Sequence, residues 1–98
     1  MRQRIVVRPV AQLDFEEATA WYETQKKGLG RCFVDDFGNL LDGIAANPKQ
    51  FALVAWDIRR ALMKRFPYAV YFATSEQLIS IVAILHQSRH PFLWKQHS

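Results

Sequence analysis

Two stripes of apolar residues at helical spacing occupy the first half of the chain. In residues 10–26 the apolar positions recur every three or four residues, and most charged residues lie on the other side. Pro9 suits the first turn of this helix, because its missing N–H has no intrahelical partner there. A second stripe fills residues 29–44 and stops at Asn47-Pro48, since a residue before proline disfavours the α region. The short break at residues 28–30 predicts an antiparallel αα-hairpin.

The rest of the chain contains short apolar runs that are typical of β-strands. Residues 5–7 form a β-branched run before the helices, and residues 58–63 form a candidate strand after them. Residues 68–74 are rich in aromatic and β-branched side chains. Residues 78–85 are nearly all apolar, which predicts a central strand covered on both faces. The order β-α-α-β-β-β therefore predicts an α+β fold, in which a small, mostly antiparallel sheet packs against an αα-hairpin.

Length and composition narrow the class of protein. A chain of 98 residues is the size of one domain, and we expect residues 1–98 to form it. Half of the residues are hydrophobic and 13% are aromatic, which excludes a disordered chain. The apolar runs are too short for a transmembrane helix or a signal-peptide core, and the single Cys fits a reducing compartment. We therefore expect a cytoplasmic protein with no membrane partner.

The positive charge is concentrated in the second half of the chain. The formal net charge is +4, but residues 1–48 hold six Lys and Arg against seven Asp and Glu. Residues 49–98 hold seven Lys and Arg against only two acids. A basic half of this kind attracts a polyanion or an acidic protein partner by long-range electrostatics. Simple solubility is the alternative interpretation.

Cofactor and metal sites are not indicated by any motif. The chain has no Gly-rich phosphate loop. His86 and His90 have helical spacing, but Pro91 follows at once and no carboxylate is close in sequence, so we expect no metal site. Cys32 has no Cys or His nearby and is expected to be a small core or boundary residue. We therefore predict no cofactor.

Basic and aromatic side chains of the second half form the remaining candidate site. Arg and Lys bind phosphates, and Tyr, His and Arg stack on bases. The same residue types suit metal-free RNA cleavage, in which cations stabilise charge at the phosphate and His or Tyr transfers protons. The structural alternative is that the tyrosines are sheet residues and the arginines are solvated edge charges. The set comprises Arg59, Arg60, Lys64, Arg65, Tyr68, Tyr71, His86 and Arg89.

Three motifs, in this order, resemble the RelE/ParE toxin superfamily. They are Trp21-Tyr22-Glu23 followed by Gly28-Leu29-Gly30 and Phe33, then residues 59–68 running into Tyr71, and finally residues 86–91 with Trp94. Together they cover nearly the whole chain, from about Arg8 to Trp94. The fold that this resemblance implies is a small curved sheet with an αα-hairpin packed against it, in agreement with the pattern above.

The resemblance implies the toxin of a type II toxin–antitoxin pair, held inactive by a cognate antitoxin that folds over the helices and the sheet. RelE-like members cleave mRNA in the ribosomal A site, and ParE-like members inhibit DNA gyrase. The position after Tyr68 is often Arg in RelE-like nucleases and is Ala69 here, and the usual late Tyr is replaced by Trp94. These departures favour the ParE-like branch.

Two alternatives to a gyrase inhibitor stay open. One is a RelE-like, ribosome-dependent mRNA endoribonuclease, and the other is an inactive member that only binds its antitoxin. If the chain is a nuclease, its candidate catalytic residues are Lys64, Arg65, Tyr68, His86 and Arg89. The residues expected to bind the target or nucleic acid are Arg59, Arg60, Lys64, Arg65, Tyr71 and Arg89.

Overall fold

A computed structural model describes residues 3–88 of the chain, and the elements below are those of this range. The expected turn at Pro91–Trp94 lies outside it. The order is β1 (Arg4–Val7), α1 (Pro9–Gln25), α2 (Leu29–Ala46), a 3₁₀ turn (Pro48–Gln50), β2 (Ala52–Ala55), β3 (Ile58–Leu62), β4 (Tyr68–Thr74) and β5 (Leu78–His86). The predicted α+β fold is thereby confirmed.

A tight connection joins α1 to α2. Gly28 has φ 90°, a left-handed conformation that glycine adopts without steric cost. The Glu23 carboxylate accepts hydrogen bonds from the backbone N–H groups of Gly28 and Gly30, at 3.1 and 3.0 Å. These donors lie at the start of α2, where N–H groups lack intrahelical partners and negative charge is favourable. A Cβ on Gly30 would lie 3.0 Å from the Thr19 carbonyl oxygen, so the two helices approach closely at this glycine.

The five strands form one sheet in the order β1-β5-β4-β3-β2. The pairs β2–β3, β3–β4 and β4–β5 are antiparallel, and β1 pairs with β5 in parallel. The sheet is therefore mixed and mostly antiparallel. β5 has β1 on one side and β4 on the other, which confirms that the most apolar run is a central strand.

β2 is an additional strand that the sequence pattern does not predict. It forms the edge of the sheet and is joined to β3 by a two-residue turn, Trp56-Asp57. Trp56 has φ 42°, in the left-handed region, and its side chain is 87% exposed. Two-residue hairpin turns need positive φ values, which Asn or Gly usually provides. The usual hairpin signal is thus absent from this turn.

The hydrophobic core lies between the helix pair and one face of the sheet. Phe33, Phe37 and Ile44 of α2 pack against alternate residues of β4 and β5, which include Val70 and Phe72. Six aromatic rings extend this core towards one end of the sheet, and they belong to Phe15, Tyr22, Phe33, Phe37, Phe66 and Tyr68. The candidate site residues lie around this aromatic end and along the strands that lead to it.

Candidate functional site

The first of two cavities near the aromatic end lies between α1 and the last part of β5. Its volume is about 230 Å³. We call it the acidic pocket, and it is lined by Asp14, Glu17, Ala18, Trp21, Tyr68, Ile84, Leu85 and His86. In the part of the chain that the structure describes, the lining contains two carboxylates, those of Asp14 and Glu17, and no Lys or Arg.

The acidic pocket exists because β1 is shorter than its neighbour. The β1–β5 pairing ends at Val7 and Ile81, and α1 then begins at Pro9. The backbone N–H of Ile84 consequently has no strand partner on that side, and it donates to the Asp14 carboxylate at 3.3 Å. A buried N–H without an acceptor is costly, so Asp14 replaces the missing strand at this point.

Tyr68 and His86 are directly paired across β4 and β5. Their ring centroids are 5.1 Å apart at an interplanar angle of 80°, an edge-to-face arrangement. Tyr68 is buried and also contacts Tyr22 and Phe33. The Nδ1 atom of His86 accepts a hydrogen bond from the backbone N–H of Ser88 at 3.1 Å, so a neutral ring carries its proton on Nε2. In this tautomer the Nε2–H group is a hydrogen-bond donor, and the Nε2 atom has no free lone pair with which to accept a proton.

A second cavity lies on the other side of the aromatic cluster, where α2 meets the turn between β3 and β4. Its volume is about 660 Å³. We call it the basic cleft, and it is lined by Asp36, Asn39, Leu40, Leu62, Lys64 and Arg65. Lys64 and Arg65 are exposed, whereas Asp36 is only 6% exposed. The Asp36 Oδ2 atom accepts a hydrogen bond from the backbone N–H of Arg65 at 2.9 Å, which ties the basic turn to α2.

The two adjacent arginines of β3 point to opposite faces of the sheet. Arg59 is half-buried, and its Nη1 donates to the Phe51 carbonyl oxygen at 2.6 Å. This bond connects β3 to the residue that precedes β2. Arg60 is exposed and faces Tyr71 across the strand pair, on the face that the helices do not cover. Tyr71 is only 5% exposed, so its ring is not displayed for stacking on a base.

The structure divides the candidate residues among separate places. Tyr68 and His86 lie together in the acidic pocket, while Lys64 and Arg65 line the basic cleft. Arg60 and Tyr71 lie further along the sheet, and Arg59 supports the chain locally. Arg89 lies outside the described residues. No described cavity brings His86 and Tyr68 together with Lys64 or Arg65 in its lining.

Three acids that line these cavities are absent from the sequence-based candidates, and two of them, Asp14 and Asp36, accept the backbone hydrogen bonds described above. Both occupy the inward stripe of a helix: Asp14 lies three residues after Ala11 and four before Ala18, and Asp36 has the same spacing between Phe33 and Leu40. An acid at an apolar position of a helical stripe is the signal that identifies them. Such a residue is wholly or partly buried, and its carboxylate then needs a hydrogen-bond donor.

Two further features bear on the kind of site. Residues 3–88 contain no group of three or more His, Cys, Asp or Glu arranged to hold a metal ion. Among the same residues, no helix has the length and apolar character needed to cross a membrane.

The same architecture, an αα-hairpin on one face of a mixed sheet, occurs in a solved structure. A solved structure described as "Chromosomal ParDE TA system from P. aeruginosa" contains a chain that superimposes with a TM-score of 0.75 over 87% of this chain and 96% of that one. The two sequences are 16% identical. The match confirms the fold implied by the sequence motifs. No protein-family model matches the chain, and no curated protein matches it.

Proposed function

We propose that this protein is the toxin of a type II toxin–antitoxin system and that it inhibits DNA gyrase in the manner of ParE. The observation that carries the proposal is the superposition on a chain of a ParDE system over nearly the full length of both chains. The toxin acts in the cytoplasm and is neutralised by a cognate antitoxin.

The separation of the candidate catalytic residues supports a ParE-like activity over a RelE-like one. Cleavage of RNA without a metal needs a proton acceptor and cations around the same phosphate. Here His86 and Tyr68 share their pocket with Asp14 and Glu17, whose negative charge disfavours a phosphate. Lys64 and Arg65 line the other cavity. The proposal therefore assigns these lysine and arginine side chains to binding rather than to cleavage.

The outer surface of the helix pair supplies a docking surface for the antitoxin. A groove of about 380 Å³ between α1 and α2 has a mainly apolar lining, which includes Phe15, Ala20 and Val34, with Glu23 and Arg31 at its edges. Apolar grooves of this kind accept the apolar face of a partner helix. We expect the antitoxin to place a helix there, folding as it binds.

A supercoiling assay with purified gyrase and relaxed plasmid tests the activity. The protein should block supercoiling and cause cleaved plasmid to accumulate, and prior addition of the antitoxin should prevent both effects. Arg60→Glu should weaken the inhibition about tenfold, because it reverses an exposed charge on the face of the sheet opposite the helices. Lys26→Glu is the matched control, since it makes the same charge change at the exposed end of α1.

The RelE-like alternative makes a different prediction in the same cells. Primer extension on mRNA after induction would show cuts within codons that depend on the ribosome. Supercoiling that continues at a large excess of protein, together with such cuts, would refute the gyrase proposal. Growth that is unaffected by overexpression would instead identify a member that only binds its antitoxin.

A further inference from the structure

The Asp36 carboxylate is a buried charge whose hydrogen bonding is incomplete. Asp36 is 6% exposed, yet within residues 3–88 its carboxylate accepts one hydrogen bond, which the Arg65 backbone N–H donates to Oδ2. Ionised carboxylates have about four acceptor positions, and buried ones are normally supplied with several donors or a cation. The second oxygen, Oδ1, therefore has acceptor capacity that a group entering the basic cleft can use.

The two cations of the cleft are also without partners in the described part of the chain. Neither the Lys64 ammonium nor the Arg65 guanidinium makes a hydrogen bond or ion pair within residues 3–88, although both line the cavity that contains Asp36. With one buried acid and two exposed cations, the described residues of the cleft carry a net positive charge. An acidic occupant is electrostatically complementary to it.

The remaining walls of the cleft are apolar or amide. Leu40 is half-buried, and Leu62 is 51% exposed despite its position in a strand. Asn39 adds an amide at the edge. A volume of about 660 Å³ accommodates several residues of an extended peptide.

From this arrangement we propose that the basic cleft binds a short acidic segment of a partner protein. A backbone N–H of that segment donates to Asp36 Oδ1, an apolar side chain packs against Leu40 and Leu62, and flanking carboxylates pair with Lys64 and Arg65. Residues at alternate positions of an extended peptide share one face, so the three side chains of an acid-x-apolar-x-acid pattern can all point into the cleft. The proposal concerns the cleft alone and does not depend on gyrase being the target.

Single-stranded nucleic acid is a poorer occupant of the same cleft. Proteins that bind it place aromatic rings against the bases, and none of the lining residues within 3–88 is aromatic. A phosphate would also approach the buried negative charge of Asp36. The acceptor capacity of Asp36 and the apolar walls instead match a peptide, which offers an N–H beside an apolar side chain.

Nuclear magnetic resonance with the ¹⁵N-labelled protein tests the proposal. The probe is the capped peptide Ser-Glu-Ala-Leu-Ala-Glu-Ser, and its control is the same peptide with Lys in place of Glu. The acidic peptide should shift the Arg65 amide, whose N–H donates to Asp36, together with those of Leu40 and Leu62. A seven-nucleotide oligouridylate is titrated in parallel. Binding by the lysine peptide with equal affinity, or by the oligouridylate alone, overturns the proposal.

Variants then locate the binding. Lys64→Glu should weaken the binding of the acidic peptide about tenfold, whereas the matched charge change Lys26→Glu should alter the affinity less than about twofold. Asp36→Asn keeps an acceptor for the Arg65 N–H but presents an amide to the cleft, so it should weaken binding about fivefold. If that variant does not fold, Leu62→Ala serves instead and should weaken binding about threefold, because it removes an exposed apolar contact. The assignment of the peptide to the basic cleft is refuted if Lys64→Glu and Asp36→Asn, or Leu62→Ala in its place, leave the affinity for the acidic peptide unchanged. This holds whatever the outcome of the gyrase assay.

Discussion

The acidic pocket and the basic cleft lie on two sides of one aromatic cluster, and they differ in what their carboxylates do. In the pocket, Asp14 accepts a hydrogen bond from the Ile84 N–H of β5, beyond the point where the pairing with β1 ends. Its role is to replace the missing strand partner. In the cleft, Asp36 ties down a turn with one oxygen and leaves the other with capacity for a further donor. An acid on the inward stripe of a helix can therefore be structural in one place and available for binding in another.

The largest effect should come from breaking the cluster that separates the two cavities. Phe33 is fully buried and contacts Tyr22, Phe66 and Tyr68. Phe33→Ala should lower the free energy of unfolding by about 3–5 kcal/mol, because it leaves a large cavity in a packed core. Urea denaturation measures the loss. A decrease below about 1 kcal/mol would show that the cluster does not support either cavity.

Removal of the acidic pocket's structural carboxylate should have the next largest effect. Asp14→Ala leaves the Ile84 N–H without an acceptor and should cost about 1–3 kcal/mol of stability. Amide hydrogen exchange at Ile84 should accelerate with it. Asp14→Asn is the control, since its amide oxygen retains the acceptor, and it should preserve most of the protection. Equal exchange in both variants would contradict the assigned role.

Removal of the cleft's carboxylate should cost less. Asp36→Ala removes the hydrogen bond to the Arg65 N–H but also removes an incompletely paired buried charge, and the two effects partly cancel. We expect a loss of about 1 kcal/mol, with faster exchange confined to the turn around Arg65. Chemical denaturation and hydrogen exchange check both parts. A loss as large as that of Asp14→Ala would mean that the two carboxylates are equivalent.

The smallest effects should follow from the exposed charges of the two cavities. Glu17→Gln and Lys64→Gln should each change the free energy of unfolding by less than about 0.5 kcal/mol, because both residues are exposed. Only Lys64→Gln should weaken the binding of the acidic peptide, by about threefold at low salt. Added salt should reduce the difference in affinity between this variant and the unaltered protein. A similar loss in Glu17→Gln would place the peptide outside the basic cleft.

The helical part of the fold is predictable because periodicity is local. The stripe of residues 29–44 with its stop at Asn47 matches the observed helix Leu29–Ala46, and the first helix begins at Pro9, one residue earlier than its stripe. β2 is not predictable in the same way, because Ala52–Ala55 has no alternation and its hairpin turn contains Trp56 where Asn or Gly is usual.

The candidate site is less predictable, because it depends on strand register. Opposite Tyr71 and Phe72 lie Ala83 and Ile81, so Val82 is an extra residue that shifts the pairing by one position. Beyond this bulge, His86 pairs with Tyr68 and turns towards α1 rather than towards the basic turn. No local pattern in residues 78–86 specifies the bulge. The residue types of the site were therefore identifiable, while their separation into two cavities was not.

The parallel pairing of β1 with β5 has a consequence for the order in which the protein folds. Residues 4–7 of β1 pair with residues 78–81 of β5, so β1 cannot pair until β5 has been synthesised. Contacts between such distant parts of a chain slow folding, because the intervening loop must close before they form. A nascent chain that ends before Leu78 lacks the strand that joins β1 to β4, and its helix pair cannot cover a finished sheet. The complete sheet therefore forms only after residues 78–81 have been synthesised.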